Sequence, residues 1–274
     1  MRNMDEKTVE GFGEEWQRFD QSELSSHDKE RIFNDYFSLF SWEKLPPNAV
    51  GADIGCGSGR WAQLVAPKVG LLHCVDPSQA LDVARHNLSG IDNVKFAQAS
   101  VDDLPFPDNS LDFAYSLGVL HHVPNTAAAI RSIAAKLKPQ APFLLYLYYA
   151  FDNRPYWFRL LWRISDILRR TISKMPSPLR YMVSQLLAVM IYWPLARTAK
   201  ILEQLGCLPA NWPLAYYRDK EFYVMRTDAL DRFGTVLEHR FTQSQIQTML
   251  ETAGFKDVRF SDKQPFWCAL AIRS

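Results

Sequence analysis

The stretch Val50-Gly51-Ala52-Asp53-Ile54-Gly55-Cys56-Gly57-Ser58-Gly59-Arg60-Trp61-Ala62 decides how the rest of the chain is read. A short apolar run leads into a loop with glycine at alternate positions, and a helical pattern follows. Glycine tolerates positive φ and lets a ligand approach the main chain. A loop that leaves a strand and opens a helix is a common seat for nucleotides. The dinucleotide fingerprint GxGxxG would need glycine at position 60, where Arg60 stands. No GK[ST] follows, so this is not a Walker loop.

Outward from the loop, apolar runs and helical patterns alternate. Strands are expected at 49–54, 71–75, 94–97, 113–117 and 143–149, with helices at 61–66, 79–88 and 126–137. Such alternation implies parallel pairing. Residues 1–45 read as helical, with Trp16, Phe19, Ile32, Phe33, Tyr36, Phe37 and Phe40 marking apolar faces, and Pro46 and Pro47 stopping the pattern. From about 150 to 240 the alternation gives way to three helical patterns. Thr242 and Gln245 form a capping-box signature for a helix reaching about 252, with Gly254 as its stop. Closing strands are expected at 258–260 and 267–272. The expected fold is α/β: a Rossmann-like, doubly wound, mostly parallel seven-stranded sheet with an antiparallel last strand. Residues 1–48 would form a helical cover, 49–149 with 241–274 the core, and 150–240 a mainly helical insertion.

Composition narrows the function. The chain has 274 residues, 47% hydrophobic and 22% charged, which are ordinary globular values. Its net charge of +1 supplies no bulk field for nucleic acid. The charge is uneven: residues 1–30 carry four basic and nine acidic residues, whereas 151–180 carry seven basic and two acidic. Cys56, Cys74, Cys207 and Cys268 have no CxxC spacing and read as free thiols in a reducing compartment. The segment MRNMDEKTVE is polar and acidic, unlike a signal peptide, and a cytoplasmic location is expected. The most apolar run, near 181–195, contains Ser184 and Gln185 and meets Pro194. It is expected to fall short of the roughly 20 residues of a membrane span.

Asp76, in VDPS, lies 21 residues after Gly55 at the end of the next strand. It could accept both hydroxyls of a ribose, or cap a helix before Pro77. Asp53 could receive an ammonium group or order the loop. After the third strand, Asp102 could bond an adenine amino group beside an apolar contact from Val101. After the fourth come Leu117-Gly118-Val119-Leu120-His121-His122-Val123.

Taken together, VGADIGCGSGRWA, VDPS, ASVDDLPFPDNSLDFAYSLGVLHHV and LKPQAPFLLYLYY resemble the class I S-adenosylmethionine-dependent methyltransferases. The similarity is greatest to the small-molecule group that includes the quinone-ring methyltransferases. It covers 49–149, with 241–274 as the terminal helix and hairpin. The resemblance implies S-adenosylmethionine as cofactor, with S-adenosylhomocysteine as product. It implies that Gly55, Cys56, Gly57 and Gly59 take the amino-acid part, and Asp76 with Pro77 the ribose. Val101 and Asp102 would take adenine, and Leu117 would lie near the sulfonium. Gly11-Phe12-Gly13-Glu14-Glu15-Trp16 resembles a segment that covers the cofactor in some bacterial members; an amphipathic helix outside the sheet explains it as well.

Displacement at a sulfonium methyl needs alignment and exclusion of water, and no metal. A hydroxyl acceptor must also lose a proton, for which His121 or His122 is a candidate base; capping and loop-ordering roles stay open for both. No third or fourth ligand accompanies them, so no metal site is expected. Tyr148 and Tyr149 are candidates for the acceptor pocket, or amphipathic strand residues. Asp228 belongs with Asp231, Arg232, His239 and Arg240 to a charged stretch that reads as a substrate wall or as an ion-pair network.

In YWFRLLWRISDILRR, Phe158, Leu161, Trp162 and Leu168 share helical spacing while Arg159, Arg163 and Arg170 lie towards another face. A lid, a membrane-surface or lipid-like substrate contact, and a subunit interface are three uses of this insertion. No NPPY-type tetrapeptide, Pro-Cys nucleophile or RNA-binding module is present, which disfavours nucleic acid as substrate. The expected function is methylation of a small or medium-sized metabolite, foremost on oxygen. Its rivals are lipid or glycolipid methylation at a membrane surface and a non-catalytic cofactor-binding sensor or scaffold. The acceptor, the oligomeric state and peripheral membrane contact stay open at this level.

Overall fold

The computed structural model describes residues 3–21 and 23–274. Two compact units emerge. Lys29–Ala150 and Leu237–Ser274, with the N-terminal residues to Gln21, form the first; Phe151–Val236, with the short stretch before Lys29, forms the second. In chain order come α1 (Glu6–Arg18), α2 (Ser26–Tyr36), β1 (Val50–Ile54), α3 (Ala62–Val65), β2 (Leu71–Val75), α4 (Ala80–Asn87) and β3 (Val94–Ala97). Next are β4 (Phe113–Leu117), α5 (Thr126–Lys136) and β5 (Pro142–Tyr146). The second unit contributes α6 (Tyr156–Ile172), α7 (Ser177–Leu187), α8 (Trp193–Gln204) and α9 (Phe222–Gly234). Finally α10 (Gln243–Thr252), β6 (Phe255–Phe260) and β7 (Ala269–Arg273) complete the first unit.

The seven strands form one sheet in the order β3-β2-β1-β4-β5-β7-β6. Every pairing from β3 to β5 is parallel, and β7 runs antiparallel to both neighbours. Central strands such as Phe113–Leu117 are buried on both faces, as strands covered by helices on both sides must be. Against one face pack Ile130, Ile133 and Leu137 of the α5 segment and Ile246 and Leu250 of α10, around Ala114 and Phe143. The other face carries an aromatic cluster in which Phe37 meets Tyr115 edge-on at 5.2 Å and Phe40 meets Phe113 at 6.0 Å. Gly51 lies opposite Phe113 in register, and a Cβ there would sit 2.1 Å from the Phe113 ring. Only glycine admits that ring. The helix ends are capped from the sequence: Asn125 accepts from Ala128 N, and Thr242 with Gln245 forms the reciprocal box.

Three local expectations are corrected. β5 stops at Tyr146 instead of 149, and Tyr149 pairs only through an isolated bridge to Phe241. β6 begins at Phe255, ahead of the expected 258, and its pairing with β7 shifts register between Lys256 and Arg259. The apolar run near 181–195 belongs to a helical rod of 28 residues, Ser177–Gln204, long and apolar enough by length and composition to cross a membrane. The supposed interruptions fit within it. Ser184 Oγ donates to Tyr181 O (2.8 Å), and Gln185 accepts from Arg226 Nε (2.7 Å). A π-helical turn at Ala188–Tyr192 precedes Pro194, which enters at the first turn of α8, where its missing N–H leaves little unsatisfied.

The second unit has its own core, built from Ile172, Ala188, Tyr192, Ala196, Met225, Ala229 and Phe233. Tyr217 donates to Asp228 (2.8 Å) beside it.

Candidate functional site

At the carboxyl ends of β1, β2, β3 and β4 the first unit holds a pocket of about 970 Å³, counted to its open mouth. Its position is the one expected for a ligand site in an open α/β sheet. The strand order lines up the contributing loops along one edge: Ala99, Ser100 and Val101 after β3, Asp76, Pro77 and Ser78 after β2, Gly55 to Ser58 after β1, and Leu117 to Leu120 after β4.

The loop after β1 is shaped by its glycines. Gly55 and Gly57 have φ of 82° and 52°, a region that side chains resist. Gly55 N and Cys56 N both donate to Val75 O (2.7 and 3.1 Å), which ties the loop to the end of β2. Gly57 N donates to Asp76 Oδ2 (2.9 Å), and Ser78 N and Oγ donate to Asp76 Oδ1 (2.8 and 2.6 Å). Burial raises the Asp76 pKa, and these three hydrogen bonds oppose that rise by favouring the charged form.

The N-terminal helix forms the outer wall. Asn3, Met4, Asp5, Thr8, Val9, Phe12 and Trp16 all line the pocket. The Trp16 ring lies against Gly57, where a Cβ would come within 3.0 Å of it. Asn3 clasps two core loops: its N donates to Asp102 Oδ2 (3.0 Å), its Nδ2 to Asn125 O (2.8 Å), and its Oδ1 accepts from Asn125 N (2.8 Å). The Thr8 and Ser58 hydroxyls are buried on the pocket wall without a hydrogen-bond partner among the described residues. Such groups are expected to meet a polar ligand. Together with the glycine cradle they suit a molecule that is polar along its length.

His122 and His121 part company. His122 lines the pocket, 4.9 Å from Phe12 between ring centres. Its Nδ1 lies 2.7 Å from Leu237 O. A carbonyl can only accept, so Nδ1 carries the proton and Nε2 keeps its lone pair. His121 is fully buried behind it, stacked on Tyr148 at 3.8 Å, with Nδ1 accepting from Tyr148 N (3.3 Å). Burial holds its pKa well below the ordinary value, helped by His122, Arg240 and His239. His121 does not line the pocket.

Of the cofactor candidates, Phe12, Trp16, Gly55, Cys56, Gly57, Asp76, Pro77, Val101 and Leu117 meet at the pocket wall. Three do not. Asp53 is buried beneath the loop and accepts from Tyr115 Oη (3.0 Å); burial pushes its pKa up to about 8. Gly59 faces α4, where a Cβ would lie 2.8 Å from Leu88. Asp102 turns its carboxylate to Asn3 and Ser100. The substrate candidates are also corrected. Tyr148 is taken up by His121 and the overlying Arg240, Tyr149 by Phe241 and Phe266, and Asp228 by Tyr217. The sequence reading missed Asn3, Thr8, Ser58, Ser78, Ser100 and Val119. Small hydroxyl residues flanking each motif were the available signal. Among the described residues no group of three or more His, Cys, Asp or Glu could hold a metal ion.

Sheet order and glycine loop are similar to those of the class I S-adenosylmethionine-dependent methyltransferases, and part of the chain matches a methyltransferase family. The matching family is described as "Methyltransferase domain" and covers residues 52–145. The cofactor of the class is S-adenosylmethionine. The chain is 34% identical over 104 residues to the uncharacterized methyltransferase YcgJ of Bacillus subtilis, covering 37% of this chain and 41% of that protein. It is 31% identical over 91 residues to a demethylmenaquinone methyltransferase of Staphylococcus aureus, covering 32% and 38%. It thus spans about two fifths of the length of these curated relatives. Among solved structures, it is similar to Haemonchus contortus phosphoethanolamine N-methyltransferase 2 in complex with phosphomonomethylethanolamine and S-adenosylhomocysteine. That likeness has a TM-score of 0.51 and 17% identity over 93% of this chain and 46% of that one, and concerns the fold.

Proposed function

We propose that this chain methylates an oxygen on a small or medium-sized metabolite, with His122 as general base. The observation that carries the reading is the hydrogen bond from His122 Nδ1 to Leu237 O, which leaves the ring's lone pair on Nε2 in a residue that lines the pocket. In this reading Gly55, Cys56 and Gly57 hold the amino-acid end of the cofactor, and Asp76 accepts from the ribose. Ser100 and Val101 border the adenine. Leu117 and Val119 sit by the methyl. Phe12 and Trp16 keep water out. Bound S-adenosylmethionine supplies a methyl group already activated by its sulfonium, so the side chains need only align the acceptor and take its proton.

A second reading, a lipid or glycolipid acceptor, is favoured by one observation: α6 exposes Trp157, Leu160, Leu161 and Ile164. Incubation with methyl-labelled cofactor and fractionated cell extract separates the two by whether label enters water-soluble or lipid fractions. His122→Ala should lower the transfer rate roughly a hundred- to ten-thousandfold, with cofactor affinity little changed. An unchanged rate removes His122 as base. Cofactor binding with no labelled product in any fraction would leave a sensor or scaffold.

A further inference from the structure

Helix α6 is inside out. Its buried positions include Asp166 and Arg169, which are 7% and 5% exposed, while seven large apolar side chains face away from the unit's core. Tyr156, Trp157, Leu160, Leu161, Ile164, Ile167 and Leu168 are between 45% and 67% exposed. The burial of the polar pair is satisfied from within. Arg169 Nε donates to Asp166 Oδ1 (2.7 Å), Arg169 Nη1 to Thr235 O (2.9 Å), and Arg170 Nε to Asp166 Oδ2 (2.9 Å). The apolar face is therefore not a core that failed to find its place. The helix is pinned by its polar side and presents its apolar side outward.

At 3.6 residues per turn, the seven side chains occupy an arc of about 140°. Arg159, Arg163 and Arg170 fall together on one border of that arc, within about 40° of one another. Tyr156 and Trp157 stand at its amino end, and Lys174 follows its carboxyl end. A wide apolar face, a basic border and interfacial aromatic residues are the attributes of a helix lying in the plane of an anionic bilayer. The arc is broader than the narrow seam that a paired helix covers, so a second copy of the chain would leave much of it wet. The basic balance of 151–180, seven against two, gives the face a preference for negative headgroups.

We propose that α6 is a peripheral docking surface for anionic lipid, with its apolar face set among the acyl chains and Arg159 and Arg163 at the phosphate level. The surface lies wholly on the second unit and depends neither on the acceptor nor on cofactor binding.

The test uses the full chain and flotation with vesicles of phosphatidylcholine alone or mixed with phosphatidylglycerol. The chain should float with the anionic vesicles and at least tenfold less with the neutral ones, and salt should weaken the association. Arg159→Gln with Arg163→Gln should reduce partitioning onto anionic vesicles roughly thirtyfold. Ile164→Asp with Ile167→Asp should abolish it. Both pairs are exposed, so unchanged melting and unchanged cofactor titration exclude unfolding as the cause. Absence of flotation, equal binding to both vesicle types, or a dimer that Ile164→Asp dissociates would each overturn the proposal. Resistance to alkaline carbonate extraction would also overturn it, in favour of insertion of the Ser177–Gln204 rod.

Discussion

At the residue scale, the informative groups are those with two demands on them. Asp76 already accepts three hydrogen bonds from Gly57 and Ser78. A carboxylate has room for about one more acceptor interaction beyond these three. If that capacity serves the ribose, Asp76→Ala should weaken S-adenosylmethionine binding by roughly 1.5–3 kcal/mol. Calorimetric titration with adenosine should show a parallel loss. A fall in melting temperature with adenosine binding intact would make Asp76 a strut for the loop and nothing more. The two adjacent histidines show why residue type alone does not assign a role. His121 and His122 share chemistry and sequence surroundings, yet one is enclosed against Tyr148 and the other borders the pocket.

At the element scale, α1 acts as a wall held at its start by a single residue, through its backbone N and its side-chain amide. Asn3 makes three hydrogen bonds, to Asp102 and Asn125, whose loops follow β3 and precede α5. Asp5 caps the helix by accepting from Thr8 N (2.8 Å). Asn3→Ala should loosen the wall without unfolding the core. Hydrogen exchange across 3–18 should quicken, and cofactor dissociation should accelerate roughly tenfold, since partly exposed hydrogen bonds each contribute modestly. Unchanged exchange would show that Trp16 and Phe12 packing holds the helix without the clasp. The motif Gly11-Phe12-Gly13-Glu14-Glu15-Trp16 pointed to this wall, but Asn3 carried no signal in the sequence. Its partners lie 99 and 122 residues away.

At the scale of the whole molecule, stability should depend on Asp53. Burial pushes its carboxyl pKa up to about 8 in the fold, from the ordinary 3.8. The folded state therefore keeps a proton that the unfolded state releases, and the associated stability is present below about pH 4 and lost as pH rises towards 8. Asp53→Asn should flatten the decline in melting temperature between pH 5 and 8.5. A decline as steep as in the parent would mean that Asp53 is ionised in the fold. The strand–helix alternation, the glycine loop and the place of Asp76 after the second strand were legible in the sequence because their causes are local. Alternation of apolar runs selects buried parallel strands, and positive φ selects glycine. Pro194, a stop signal in the sequence, is accommodated in the rod at the first turn of α8, after a π-helical turn. What tertiary structure alone decided was direction: which histidine borders the pocket, which acidic groups turn away from it, and that α6 buries its ions and exposes its leucines. Those outcomes depend on partners such as Leu237, Tyr115 and Thr235, brought together by folding from 62 to 115 residues along the chain. A periodicity records that a helix has two faces, and only packing decides which one meets the core.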